Sequence, residues 1–241
     1  DKTLYFFTSG RFEFENKGYD LTLEALYRLN KRMKNAKMDI NIVTFFVTRQ
    51  PFTSINPRVL ELRAHMDEIK QTCNAIQNKI GENRVYSAAT SEESNLPKLT
   101  DFVGDYWQFR YKKTIQSWKS DHLPILVTHN LVDDANDQIL QYIRYRKMFN
   151  YQDDPVKIVY QPDFIDSTNP LFKLDYEQFV RGCHLGIFPS YYEPWGYTPV
   201  ECLVRGIPAI TSDLSGFGDY AKNEVKTVTE KGIYIVNRRT Q

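Results

Sequence analysis

The run RGCHLGIFPSYYEPWGYTPVECLVRGIPAITSDLSGFG, Arg181 to Gly218, constrains the possible fold more than any other part of this chain. Leu185 to Phe188 and Ile207 to Thr211 are short apolar, β-rich runs with a loop and a helix between them, the pattern of a strand–helix–strand crossover. Thr198 followed by Pro199 predicts an N-cap with proline at the first helical position, and Gly206 predicts the residue that closes the helix. The loop from Ser190 to Tyr197 holds Glu193, Trp195, Gly196 and the tyrosines 191, 192 and 197, a mixture too polar and too aromatic for a mere connector. Ligands of open parallel sheets sit beyond the carboxyl ends of the strands, so chemistry is expected at this loop. Glu193 and Glu201 have seven residues between them and can border one cleft. Acidic residues in a first helical turn also simply complement the helix dipole, and spacing alone does not choose between the two.

Toward the amino end, Leu4 to Phe7 is a strand-like run ending in Ser9-Gly10, followed by RFEFENKG and a helix from about Asp20 to Asn35 with Leu23, Ala25, Leu26, Leu29 and Met33 for one face. Arg11 and Lys17 thus lie near a helix N-terminus, where a cation opposes the dipole unless an anion sits between. One reading is a diphosphate clamp, with Arg11 binding bidentately and Lys17 as a point charge. The other is a solvated loop in which they pair with Glu13 and Glu15. Ile40 to Thr48 is apolar almost throughout, as suits a parallel strand covered on both faces.

Val59, Leu62, Met66, Ile69, Cys73, Ile76 and Ile80 recur in steps of three and four, a heptad seam that calls for a partner helix. The segment around Phe102 to Trp118, with Phe102, Tyr106, Phe109 and Trp118, is the candidate, and residues 51–123 are predicted to be a helical insertion. Ile125 to Val127 predicts a short strand, and Asp133-Asp134 predicts the negatively charged start of a helix running through Met148 rather than a metal site. His129 suits a hydrogen-bonded structural role. Val156 to Tyr160 and Ile233 to Val236 are further strands, and Asp175 to Arg181 starts another helix with Tyr176 at its head. The alternation predicts an α/β fold: one doubly wound Rossmann-like domain over residues 1–241 carrying the insertion.

A net charge of +1 from nearly equal acids and bases argues against a nucleic-acid surface, and the lack of a long apolar run or a secretory leader argues against a membrane or export reading. Cys73, Cys183 and Cys202 are odd in number and widely spaced, which suggests free thiols in a reducing cytoplasm rather than disulfides or zinc ligands. The ends look cut from something longer.

YYEPWGYTPVEC with GCHLG before it and SGFG after it, GRFEFENKG at Gly10 to Gly18, VTHNLVDDANDQIL at Val127 to Leu140, and IYIVNRR near the end resemble, in order, segments of the glycogen synthase family of animals and fungi. The likeness covers most of the chain and weakens between Pro51 and Leu123. It implies the C-terminal, nucleotide-sugar-binding half of a two-domain GT-B enzyme. That enzyme is a retaining glycosyltransferase adding glucose from UDP-glucose to an α-1,4-glucan acceptor, with no cofactor and no metal.

On the resemblance, Arg11 and Lys17 contact the donor phosphates and Tyr176 stacks the uracil. Glu193, Trp195 and Gly196 meet the sugar, Tyr197 and Thr198 complete the UDP-glucose site, and Glu201 meets the ribose. Glu193 is expected to position the sugar while the acceptor enters on the donor's own face, because a glycosidase-type nucleophile needs a second carboxylate about 5 Å away. His184, which by its sequence setting suits a core histidine, becomes on the resemblance a contact for the activator glucose 6-phosphate, in a pocket whose arginine-rich helix lies beyond Gln241. The resemblance also implies a homo-oligomer through the insertion and a glycogenin-type primer protein. The 241 residues alone are expected to bind nucleotide weakly and not to extend a glucan. Two alternatives are another retaining nucleotide-sugar glycosyltransferase and a non-catalytic oligomerisation module.

Overall fold

The two longest strands form where aromatic and β-branched residues run without glycine or proline, TLYFFTS and NIVTFFV. The computed structural model describes residues 2–90, 102–118 and 124–239. In chain order the elements are β1 (Thr3–Ser9), α1 (Tyr19–Asn35), β2 (Asn41–Val47), β3 (Phe52–Ile55), α2 (Pro57–Thr90), α3 (Asp105–Trp118), β4 (His129–Leu131), α4 (Gln138–Arg146), β5 (Val156–Gln161), α5 (Tyr176–Arg181), β6 (Leu185–Phe188), α6 (Tyr197–Val204), β7 (Ala209–Ser212), α7 (Gly216–Glu224), a 3-10 helix (Val228–Lys231) and β8 (Ile233–Val236). Six strands pair in parallel in the order β5-β2-β1-β6-β7-β8. The chain works outward from β1 on one side, then returns to build β6, β7 and β8 on the other. The strand order therefore reverses between β1 and β6, and the crevice at their carboxyl ends is the ligand position such a sheet provides.

Both sheet faces are covered, which the two-residue period of the strands makes visible. Leu4 and Phe6 of β1, with Ile42 and Phe46 of β2, face a core shared with Leu23 and Leu26 of α1 and Ile139 and Ile143 of α4. Tyr5 and Phe7, with Phe45 and Val47, face the opposite core with Phe179 and Val180 of α5 and Cys202 of α6. Single aromatic residues thus alternate between two apolar layers, the signature of a doubly wound domain.

Three local expectations are corrected. The helix predicted to begin at Asp133-Asp134 begins at Gln138, because Asp137 is the cap: its carboxylate accepts from the Leu140 amide at 2.9 Å and from the Tyr160 hydroxyl at 2.9 Å. Asp133 instead accepts from Asn136, and Asp134 pairs with Arg144 at 2.9 Å. Ile125 to Val127 supplies a single bridge, Val127 to Tyr160, rather than a strand. The seam's partner face also differs. Tyr106 and Phe109 are 64% and 69% exposed, while Gln108, Tyr111 and Lys112, which share a face of α3 by their spacing, line a groove of ≈ 590 Å³ with Cys73, Ile76 and Ile80 of α2. His129 is buried, with Nδ1 2.8 Å from Thr128 Oγ1, and burial holds its pKa below the usual imidazole value, against a smaller opposing effect of Asp163.

Phe52–Ile55 pairs antiparallel with His129–Leu131, and the chain divides into one compact unit of residues 1–56 and 123–241 and another of residues 57–122. Within the second, α2 runs for 34 residues, about 51 Å at 1.5 Å per residue, and its seam residues Val59, Leu62, Met66, Ile69, Ile76 and Ile80 are half-buried while Cys73 is exposed. Residues 91–101, 119–123 and the terminal Asp1, Thr240 and Gln241 lie outside the described residues, as does the side chain of Trp118. Among the described residues no helix is long and apolar enough to cross a membrane.

Two glycines sort by mechanism. At Gly18, φ is +69° and an added Cβ would lie 2.3 Å from the Pro189 carbonyl oxygen, whereas at Gly206, φ is +75° and nothing lies within 4 Å. Gly206 closes α6 as predicted: its amide donates to Leu203 O and the next amide, of Ile207, to Cys202 O. Gly206→Ala should cost about 1–2 kcal/mol, the left-handed penalty alone. Gly18→Ala should cost about 3 kcal/mol or more, since a backbone clash adds to it. Urea unfolding of the two variants checks the difference.

Candidate functional site

The loop after β1 is shaped by its neighbours before any ligand is considered. The Gly10 amide donates to Val47 O at 3.2 Å, holding the loop's start at the end of β2. At its far end the Asn16 carbonyl accepts from the Tyr191 amide at 2.7 Å, and the Asn16 side-chain oxygen accepts from the Tyr192 amide at 3.0 Å. With Gly18 against Pro189, these contacts fasten the loop after β1 to the loop after β6. Lys17, between Asn16 and Gly18, is thereby aimed at Glu193, and the two form an ion pair whose side chains are 16% and 26% exposed. The sequence named both residues as candidates but gave no sign of their pairing: it offered Lys17 either a phosphate or the nearby Glu13 and Glu15.

A second strap holds Glu193 from the other side. Its carbonyl accepts from the Gly216 amide at 3.0 Å and the Trp195 carbonyl accepts from the Phe217 amide at 2.7 Å, so SGFG lies along the loop as a short parallel bridge. Ser215 caps α7 by accepting from the Gly218 amide at 3.0 Å. The α6 cap is not Thr198, as its sequence setting before Pro199 suggested, but Gly196, with φ +98°. Glycine's tolerance of positive φ lets the chain turn into the helix two residues sooner, which puts Thr198 at the second helical position and Pro199 at the third. The Tyr197 and Thr198 amides are then among the unpaired donors of the first turn, at the positive end of the helix dipole.

These pieces meet in one narrow cleft at the reversal point of the sheet. Of the predicted residues, Lys17, Glu193, Gly196 and Thr198 line it, and they are joined by the hydroxyls of Ser9, Ser190, Thr211 and Ser215. The hydroxyl contributors went unnoticed in the sequence, where only the Ser-Gly ending of β1 hinted at them. The free space is ≈ 10 Å³, room for about one water.

The remaining predicted residues lie around this cleft or apart from it. Arg11 is exposed on the same loop as Lys17, and its guanidinium has no ion-pair partner among the described residues. Tyr176 heads α5 and its hydroxyl sits 2.7 Å from Ser9 Oγ; burial pushes its pKa up to about 12. Glu201 is half-buried on α6, near enough to Tyr176 to act on it electrostatically. Trp195 turns its ring onto α7, with centroids 6.0 Å from Phe217 and 5.9 Å from Tyr220, and Tyr197 is 73% exposed. His184 stands at the opposite end of β6, about 13 Å along the strand from the cleft at 3.3 Å per residue. It is exposed rather than buried in a core, and its Nδ1 accepts from the Tyr5 amide at 3.0 Å.

Fold and cleft together define a doubly wound α/β domain whose cleft, at the reversal point of the sheet, presents a cation, a carboxylate and the N-terminus of α6. Residues 1–241 match the family described as Glycogen synthase. The chain is 44% identical over 239 residues to the liver Glycogen [starch] synthase of Homo sapiens, covering 99% of this chain and 34% of that protein. It is 42% identical over 243 residues to Glycogen [starch] synthase of Caenorhabditis elegans, covering 99% of this chain and 36% of that one. Isoform 1 of Saccharomyces cerevisiae is 42% identical over 248 residues, with 99% and 35% covered. The chain belongs to the glycogen synthase family, and it spans about a third of the length of the curated relatives it matches. Among solved structures, a UDP-forming α,α-trehalose-phosphate synthase from Burkholderia vietnamiensis superposes with TM-score 0.45 at 8% identity over 98% of this chain and 32% of its own, too loosely to bear on function.

The floor of the site is tied to the last strand through Asp213. This buried carboxylate accepts from the Arg238 amide at 2.8 Å and faces Lys222 Nζ at 3.4 Å, while Arg238 reaches Pro189 O at 2.6 Å. Burial pushes the Asp213 pKa up, but the Arg238 amide and the Lys222 ammonium outweigh it and hold the carboxyl below its ordinary value. A depressed folded-state pKa gives stability that is present above the unfolded value, about 3.9, and is lost as pH falls through the folded value. Asp213→Asn is therefore expected to cost about 1–2 kcal/mol at pH 7, with the gap to the unsubstituted chain closing as pH falls below about 3.9. Thermal unfolding across that range measures it.

Proposed function

We propose that this chain forms the donor-binding half of a two-domain GT-B glycosyltransferase that moves glucose from UDP-glucose to a growing α-1,4-glucan with retention of configuration. The observation that supports this best is the meeting of Lys17 and Glu193 beneath the N-terminus of α6, at the carboxyl ends of β1 and β6. Breaking the bond from the anomeric carbon to the diphosphate leaves negative charge on the departing oxygen while the sugar becomes cation-like. Lys17, Arg11 and the first amides of α6 neutralise that charge, so the reading calls for no metal ion. Glu193 accepts from glucose hydroxyls and orients the ring. The acceptor hydroxyl enters on the face the diphosphate leaves, and its proton passes to the departing phosphate oxygen. Tyr176 and Glu201 serve the base and the ribose.

The reading extends further from the cleft. The half-buried seam of α2 favours a homo-oligomer assembled through the helical unit. The outward-facing ring of His184 suits a glucose 6-phosphate contact, a glycogenin-type protein supplies the primer, and the buried thiols Cys183 and Cys202 suit the cytoplasm. The chain by itself binds donor without extending a glucan, and labelled glucose incorporated by it alone would overturn that part. Isothermal titration tests the core of the reading. Lys17→Ala and Arg11→Ala should each weaken UDP-glucose binding by about tenfold or more, the worth of a charge-assisted contact. Unaltered affinity in both variants would remove the donor cleft.

A further inference from the structure

The cleft holds its own counter-ion. Lys17 and Glu193 come from loops after different strands; Asn16 and Gly18 fasten the Lys17 loop directly to the Glu193 loop, and the Gly216 amide holds Glu193 from its other side. Neither loop is free to drift away from the other. A diphosphate seated among these lining residues meets Lys17 already paired with Glu193, and contacting the ammonium means competing with that carboxylate.

We propose, resting on the donor-cleft reading above, that Glu193 makes this site select a sugar nucleotide over the bare nucleotide. The two ligands differ in what they return to Glu193. A nucleoside diphosphate claims the Lys17 ammonium and leaves a partly buried carboxylate without its partner, facing another anion, which is an unfavourable arrangement. A nucleotide carrying a hexose places hydroxyl donors between the two anions, and each restores a charge-assisted hydrogen bond to Glu193. The same competition acts after transfer: once the hexose has left, Glu193 recovers Lys17 and the nucleoside diphosphate is displaced. Glu193 is thus a specificity-determining residue and a source of product release, as well as a sugar contact. A purely structural ion pair would behave differently, since removing it would weaken both ligands together.

The test is titration of UDP and of UDP-glucose into the unsubstituted chain, Glu193→Gln, Glu193→Ala and Lys17→Ala. In the two Glu193 variants UDP should bind about three- to tenfold tighter, the range expected for releasing a partly exposed ion pair, while UDP-glucose binds about tenfold more weakly. The order of preference then inverts. UDP affinity that is unchanged or reduced in both Glu193 variants, with binding still dependent on Lys17, overturns this inference and leaves the donor cleft standing. UDP affinity indifferent to Lys17→Ala, or no binding by the unsubstituted chain, defeats both. Should the Glu193 variants fail to fold, the ¹⁵N resonance of the Lys17 ammonium in the unsubstituted chain gives the answer: it should move on saturation with UDP, and a stationary signal overturns the proposal.

Discussion

A side chain at position 18 would sit 2.3 Å from the Pro189 carbonyl oxygen, so the loops after β1 and β6 meet as they do because residue 18 has none. That close approach, with the two amide bonds accepted by Asn16, sets the distance between the two halves of the sheet's crevice. Fixing its neighbours on both sides sets the Lys17 backbone at the edge of the cleft, where its flexible side chain reaches Glu193. The electrostatics of the cleft are therefore a consequence of backbone packing, and the ion pair with Glu193 is its first visible result.

The carboxyl edge of the sheet is held by polar contacts of the same local kind. Ser212 donates to Ser190 O at 2.5 Å, Thr211 and Ser215 hydroxyls lie 2.9 Å apart, and the glycines of SGFG lie where side chains would strike Ser212 or Pro194. Trp195 turns its ring onto α7, so its loop is anchored there by an aromatic contact. Such a rim is stiff before any ligand arrives, and groups held in place need little reorganisation when charge develops beside them. The same arrangement makes an incoming anion a competitor of Glu193 for the Lys17 ammonium.

Much of this was legible along the chain. Strands announce themselves by aromatic and β-branched runs, and Ile233 to Val236 matches β8 residue for residue. Lys17, Glu193 and Thr198 stood out as candidates from their places beside strand ends and a helix start, but residue type alone left a solvated-loop reading of Lys17 open, and Gly196 was named as a site member only through the family resemblance. The cap of α6 was not legible, since Thr-Pro is a good local start and only the positive φ of Gly196 moves the start earlier. The cap of α4 was missed for a related reason: three aspartates lie within five residues, and burial against Tyr160 selects Asp137. The face that α3 turns to α2 also escaped, because Tyr106 and Phe109 are apolar enough to suggest a contact and are left exposed.

By itself the sequence determined the alternation of elements, the parallel sheet and the chemical types gathered at its carboxyl edge, because periodicity, capping and turn residues act over a few neighbours. It could not determine which of those residues touch. Lys17 and Glu193 are 176 positions apart, Asn16 and Tyr192 equally far, and Ser9 and Tyr176 nearly so. Their meeting depends on β6 inserting beside β1 rather than beside β5, an outcome of the sheet order and its reversal. Only the tertiary structure makes that choice, since it comes from packing two apolar faces at once, and no short stretch of chain carries that information.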